Sequence, residues 1–271
     1  MTIDNNCVRA PLRYVVDDGV PPVMYVDWPE EEHKAHQPVY EEKIVTINNG
    51  RPESSIFKLS RHGFEFLNHT SNVKNFYDAN DVEKNCYHEV EKLVKEKIHC
   101  NEVIVFDHTI RTSNEAILSE YGVREPVKAV HNDYTEKSAS QRVRDLLTEH
   151  RAEKALKRRF AIVQLWRPIK TIETEPLAIC DGRTIPEKGF ITVERRYPHR
   201  TAEVFHISYN PEHKWIYFPQ MTPEEALIFK VFDTDAGAGV KYTAHSAFED
   251  PNSPSTAKPR ESIEIRALAL F

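Results

Sequence analysis

Glycine is scarce: 8 of 271 residues, about 3% against a typical usage near 7%. No phosphate loop of the G-x-x-x-x-G-K type occurs, and Gly237 and Gly239 lack the third glycine of a dinucleotide fingerprint. G-x-S-x-G, H-E-x-x-H and EF-hand patterns are also missing, which removes serine-elbow hydrolases, zincin proteases and calcium-loop proteins. The four cysteines, Cys7, Cys86, Cys100 and Cys180, form no C-x-x-C pair and no disulfide spacing, so they are expected as core or free thiols in a reducing compartment. No run reaches the roughly 18 apolar residues of a membrane span, and the first residues show neither a secretory nor a transit leader. A soluble, cytoplasmic protein with no membrane partner is expected. Positive charge is not in excess: 36 Lys and Arg face 42 Asp and Glu, a formal net charge of −6 that repels polyanions and makes nucleic acid a poor partner.

What is present is ample core material, 40% hydrophobic and 10% aromatic, enough for one large domain over 1–271. Residues 1–100 read as a strand-and-helix extension: RYVV, VMYVDW and KIVTI are short strands between Pro, Asn and Gly. Val82, Cys86, Val90, Leu93, Val94 and Ile98 repeat at helical spacing over 80–99. Residues 101–271 read as the core. EVIVFDHTIRT is a strand, followed by a short helix at 116–118, a strand over 127–134 and a helix over 138–150. From Phe160 onward AIVQLW, PLAIC, ITVERRY, EVFHISYN, KWIYFP, EALIFKVFD and SIEIRALALF are mostly strand, with a helical turn expected at the start of 221–232. So many short strands indicate a sandwich or barrel, mainly β with flanking helices.

Among thirteen histidines only His131 has a carboxylate two residues on, Asp133. In a strand that spacing turns both side chains to one face, where they can converge on a metal ion. Chance supplies roughly 0.6 such triplets in a chain of this composition, so the motif needs company. His245, before the last strand, supplies it as a second histidine; the three make a 2-His-1-carboxylate facial triad, which leaves open positions on a non-haem Fe(II). His206 is its rival but has no anion-binding pair behind it. Beyond His245, Arg260 and Ser262 again lie two apart, aiming a guanidinium fork and a hydroxyl at one face, a pair suited to a carboxylate. Arg266 shares that parity and is an alternative anchor, as is Arg167. A triad followed by Arg-x-Ser is what an Fe(II)/2-oxoglutarate site requires.

The order His131-x-Asp133, His245, Arg260-x-Ser262 resembles the Fe(II)/2-oxoglutarate-dependent dioxygenases. FDHTIR, AVHNDYT, LWRPI, WIYFPQMTPEEALIFKVFD, AHSAFEDP and PRESIEIRAL look like the family that holds the cephamycin methoxylation component and fungal secondary-metabolite oxygenases, a meroterpenoid endoperoxide synthase among them. This resemblance runs from about Val103 onward. It implies a double-stranded β-helix (jelly-roll, cupin-like) core, Fe(II), and 2-oxoglutarate and O2 as co-substrates. It implies hydroxylation, desaturation or endoperoxide formation at a C–H bond; the retained Asp133 argues against halogenation.

Gln164, Trp166 and Arg167 are expected on a strand near the co-substrate, with Tyr217 a further carboxylate donor; Gln164, Arg167 and Tyr217 join the cofactor-binding set and Trp166 the substrate pocket. Asp107 and His108, with Arg111, are expected as a pocket group or a self-satisfied ion-pair cluster. Sheet packing accounts equally well for these side chains. The aromatic and apolar content suits a largely apolar polyketide, terpenoid or meroterpenoid. Two other readings stand beside this one: a zinc jelly-roll hydrolase or isomerase without 2-oxoglutarate, and a non-catalytic small-molecule-binding or partner subunit. Oligomeric state stays open, a homodimer included.

Overall fold

The computed structural model describes residues 6–271 except 236 and 238. Two curled sheets face each other as a double-stranded β-helix. The nine-stranded sheet runs β1 (Cys7–Val15), β3 (Tyr40–Asn49), β11 (Trp215–Tyr217), β8 (Leu177–Cys180), β13 (His245–Ala247), β6 (His131–Asn132), β10 (Arg200–Ile207), β9 (Phe190–Tyr197) and β2 (Val23–Tyr25). The five-stranded sheet runs β4 (Phe64–Asn68), β12 (Glu225–Asp233), β7 (Phe160–Pro168), β14 (Glu261–Leu270) and β5 (Glu102–Thr112). The chain before residue 100 thus lends strands to both sheets. No helix among the described residues is long and apolar enough to cross a membrane, and all four cysteines are free.

Strand parity sorts the five-stranded sheet. Phe160, Ile162, Trp166 and Leu268 face the other sheet, where Ile179 and Ile216 meet them. Val163, Leu165, Ile263 and Ile265 face outward and are roofed by Val90 and Val94 of the helix Tyr87–Ile98. That helix matches the 80–99 periodicity, with a π turn over Val82–Cys86 at its start. A third cluster lies on the outer face of the nine-stranded sheet, where Trp215 donates Nε1–H to the buried Tyr14 hydroxyl at 2.7 Å. Gly63 ends a short helical turn at φ +88°; a Cβ there would lie 2.1 Å from Thr243 Oγ1, so only glycine fits.

Three expected elements differ. The strand over 127–134 shrinks to His131–Asn132, because the Asn132 amide donates to the Tyr134 carbonyl at 2.7 Å and the Val231 carbonyl at 3.0 Å and turns the chain out of the ladder. The helix over 138–150 is two: Glu136–Leu146, opened by a reciprocal Thr135–Ser138 cap, and Glu149–Leu156. The helical turn expected at the start of 221–232 is a plain turn, after which Glu225–Asp233 is strand, since its apolar residues meet a core on both sides.

Candidate active site

His131 and His245 stand directly opposite each other in the β6–β13 pairing, with ring centroids 4.3 Å apart. Asp133 follows where the chain leaves the ladder. The three offer donor atoms within 4.8 Å of one another, a group that could hold a metal ion. His131 donates Nδ1–H to the Ala129 carbonyl at 2.8 Å, which leaves the Nε2 lone pair 3.3 Å from Asp133 Oδ1. Two electron-rich atoms so placed call for a cation between them. Burial, and then His131, pushes the His245 ring down to about 3, so it is neutral and able to donate to a metal.

Asp133 is held as a carboxylate. Burial opposes the charge, but the Arg266 guanidinium and His131 hold it well below the usual range. Its Oδ2 accepts from Gln164 Nε2 and from Arg266 Nε and Nη2, both at 3.1 Å. Oδ2 is therefore saturated while Oδ1 faces the histidines, which orients the carboxylate for one-oxygen ligation. Arg266 also donates to Asp107 Oδ1 at 3.0 Å, Thr109 Oγ1 at 3.1 Å and Glu264 Oε1 at 2.5 Å, and Arg111 reaches Glu264 at 2.9 Å. Its parity is that of Arg260, but carboxylates occupy it.

Arg260 differs. It is 2% exposed, stacks 5.0 Å over Trp166, and donates to Ser262 Oγ and the Glu175 carbonyl, each at 2.9 Å. Among the described residues no carboxylate pairs with it. Burial, with nearby Arg111, pulls its guanidinium down to about 10. Gln164 Oε1, Trp166 Nε1 and His245 Nδ1 are buried without partners. A buried unpaired cation and an orphaned Trp166 N–H are costly unless a ligand accepts from them, and an acceptor-bearing dianion such as 2-oxoglutarate fits those two donors.

Not every expected residue comes here. Arg167 is paired with Ile263 and turns to the outer face, where it donates to His69 Nδ1 at 3.4 Å and to the Pro223 carbonyl. Tyr217 packs on the outer face of the nine-stranded sheet against Phe248, away from His245. Asp107 faces Arg266 and the next residue, His108, meets the Tyr87 hydroxyl at 2.9 Å on the other side of the strand, yet both line the cleft above the cluster. His206 was set aside in the sequence as a rival ligand; it lies beside His131 in the β10–β6 pairing and meets the Tyr40 hydroxyl at 2.9 Å. Its strand pattern could have revealed that position. The site opens into a cleft of about 790 Å³ between the helix Glu136–Leu146 and the β9–β10 hairpin, with His131, Asp133 and His206 at its floor.

A jelly-roll scaffold, a His-Asp-His cluster and a buried cation lacking its anion define a non-haem metal oxygenase of the 2-oxoglutarate-dependent class. The family model described as "Oxidoreductase/YMDC permease-like domain" matches residues 12–270. The hydroxylase/desaturase efuI of Hormonema carpetanum is 30% identical over 253 residues, 86% of this chain and 85% of that protein. The Fe(II)/2-oxoglutarate-dependent dioxygenase nvfI of Aspergillus novofumigatus is 31% identical over 232 residues, 83% of this chain and 82% of that one. The solved structure of the iron and alpha-ketoglutarate-dependent endoperoxidase NvfI superposes with a TM-score of 0.88 at 26% identity, covering 98% of this chain and 99% of that chain. The chain belongs to this family of Fe(II)/2-oxoglutarate-dependent dioxygenases of secondary metabolism. It is a non-haem dioxygenase whose cofactor is Fe(II) and whose co-substrates are 2-oxoglutarate and O2. The zinc hydrolase and binding-subunit readings are not favoured.

Proposed function

We propose that His131, Asp133 and His245 hold Fe(II), that Arg260 and Ser262 hold the distal carboxylate of 2-oxoglutarate, and that the enzyme oxidises a C–H bond of a small secondary metabolite in the cleft. The observation that carries this is Arg260, a buried guanidinium with no carboxylate partner among the described residues, at the inner face of the five-stranded sheet, while the two histidines lie on the nine-stranded sheet that faces it. When bound, iron with 2-oxoglutarate and O2 supplies an oxidant for C–H bonds, with succinate and CO2 as co-products. The chain's own residues prepare the ground. Gln164 and Arg266 fix the Asp133 carboxylate, the Ala129 carbonyl fixes the His131 tautomer, and Trp166 keeps solvent from the guanidinium. The names hydroxylase/desaturase and endoperoxidase among the relatives support hydroxylation, desaturation or endoperoxide formation as the outcome. One dioxygenase domain over 1–271 is supported by the strands that residues before 100 lend to both sheets, which makes that segment part of the core more than an extension of it. The free thiols accord with a cytoplasmic location.

The test is anaerobic addition of Fe(II) and then 2-oxoglutarate to apoprotein, watching for the visible metal-to-ligand charge-transfer band. The band is expected in wild type, absent in His131→Ala, and shifted to much higher 2-oxoglutarate concentration in Arg260→Ala. Tight metal binding without any band would refute the assignment.

A further inference from the structure

The cleft above the metal cluster is cationic, although the whole chain carries a net charge of −6. Its lining arginines divide into two groups. Arg111 and Arg266 are consumed by Glu264, Asp107 and Asp133. Arg124, Arg142, Arg195 and Arg200 have no carboxylate partner among the described residues. Arg195 is the most telling. It lies on β9 opposite Ala202, whose methyl cannot cover it, and its Nε is buried with no acceptor. The neighbouring acid, Glu194, is on the other face of the strand and is taken by Arg196 at 2.7 Å. Arg200 stacks 4.4 Å over Tyr197, and Arg142 stacks 5.1 Å over Phe106 while bonding the Tyr134 hydroxyl at 3.3 Å. Stacking holds two guanidinium planes in place before any ligand arrives, which lowers the entropic cost of recognition.

We propose that this cleft recognises an anion and that the substrate is a small carboxylic acid, an apolar skeleton bearing a carboxylate held by Arg195 with Arg142 and Arg200 around it. The inference rests on the oxygenase reading above and names the substrate class for that site. The skeleton has matching walls in Val127, Tyr134, Tyr197, Ala202 and Val204, and about 790 Å³ accommodates a terpenoid- or polyketide-sized molecule. A carboxylate is preferred over a phosphate because no glycine lines the cleft, so it offers no backbone cradle for a tetrahedral anion. It does offer planar forks, which match a carboxylate two bonds at a time. The carboxylate of 2-oxoglutarate is separately provided for by Arg260, deep between the sheets. An acid anchored on the hairpin wall and a reacting carbon over the floor make the substrate's orientation a property of two distant contacts.

The experiment uses the full chain loaded anaerobically with Fe(II) and 2-oxoglutarate, and two probe pairs: abietic acid and 1-naphthylacetic acid, each against its methyl ester. Binding is read by calorimetry. The acids are expected to bind about 10- to 100-fold more tightly than their esters, the range of a charge-assisted bidentate contact. Arg195→Gln abolishes that preference while leaving the charge-transfer band with 2-oxoglutarate unchanged. Ala202→Asp, which places a carboxylate opposite Arg195, does the same without removing a side chain. Equal binding of acid and ester, no binding of either acid, retention of the preference in both variants, or displacement of the acids by an equal concentration of inorganic phosphate would each overturn the proposal. So would an Arg195→Gln protein that loses 2-oxoglutarate instead of the acid. Absence of the band in wild type would sink the oxygenase reading alone, because the acid-over-ester comparison stands without it.

Discussion

Replacing Arg260 with methionine should leave the apoprotein about as stable as wild type and remove its response to 2-oxoglutarate. Burial takes the Arg260 guanidinium down to about 10, which corresponds to roughly 3 kcal/mol of destabilisation wherever the group is charged, hence at all pH values below about 10. Against this stand the hydrogen bonds to Ser262 and the Glu175 carbonyl and the stacking on Trp166, together about 2–4 kcal/mol. The two nearly cancel, and methionine fills much of the same volume without a charge. A carboxylate ligand supplies the missing counter-charge in wild type, so 2-oxoglutarate at a hundredfold excess over its dissociation constant should add about 2.7 kcal/mol to stability. That is on the order of 5–10 °C in Tm for a chain of this size. The assay is thermal unfolding of both proteins with Zn(II) bound, with and without 2-oxoglutarate. A strongly destabilised Arg260→Met apoprotein, or one still stabilised by 2-oxoglutarate, would refute the argument that this cation waits for an anion.

Arg266→Met is the opposite case: it removes the guanidinium from the buried Asp133 carboxylate and leaves Glu264 with Arg111 alone, and should cost about 3–5 kcal/mol, visible in urea unfolding, with weakened metal binding in the same samples. The Glu264 carboxyl is depressed to about 2 although burial opposes it, because Arg266 and Arg111 attract its charge. A depressed acid contributes stability that is complete above its unfolded value near 4.3 and lost as pH falls towards 2. Glu264→Gln should therefore flatten the acid limb of the stability profile over that window, and an unchanged limb would count against the network. Tyr14→Phe leaves the buried Trp215 N–H without an acceptor and should cost about 1–3 kcal/mol while metal titration stays at the wild-type value.

The pairs His131/Asp133 and Arg260/Ser262 were legible because i, i+2 spacing puts two side chains on one face of extended chain, although Asp133 lies just past β6 and Arg260 just before β14; His245 reaches them through its pairing with His131. The same rule, applied more strictly, separates Gln164 from Arg167 and Asp107 from His108, since an odd offset cannot share a face. β7 hides this from hydrophobic patterning because it is buried on both faces. Nothing local marks Tyr217 as outward. The break at Asn132 depends on side-chain bonds to the backbone that a periodicity does not record, and the apolar spacing does not mark the extended pair Leu147 and Thr148 that divides the second helix. Arg266 could be placed on the inner face but not assigned to Asp133, since that contact joins residues 133 positions apart. The cationic cleft is the least legible feature. Arg124 and Arg142 come from segments far from the RRYPHR hairpin tip that carries Arg195 and Arg200, so a linear reading does not join them.

The β9–β10 hairpin and the helix Glu136–Leu146 form the walls of the cleft, while the His131, Asp133 and His245 cluster and Arg260 belong to the inner faces of the two sheets. Floor and wall share one strand, β10, through His206. Oxidising power and choice of molecule are thus carried by different pieces of chain. Exchange of the hairpin tip between relatives can redirect this catalyst to another acid, or to a neutral compound, without disturbing the atoms that hold the metal. One scaffold can in this way serve many metabolites if its wall residues change while its reaction chamber is kept.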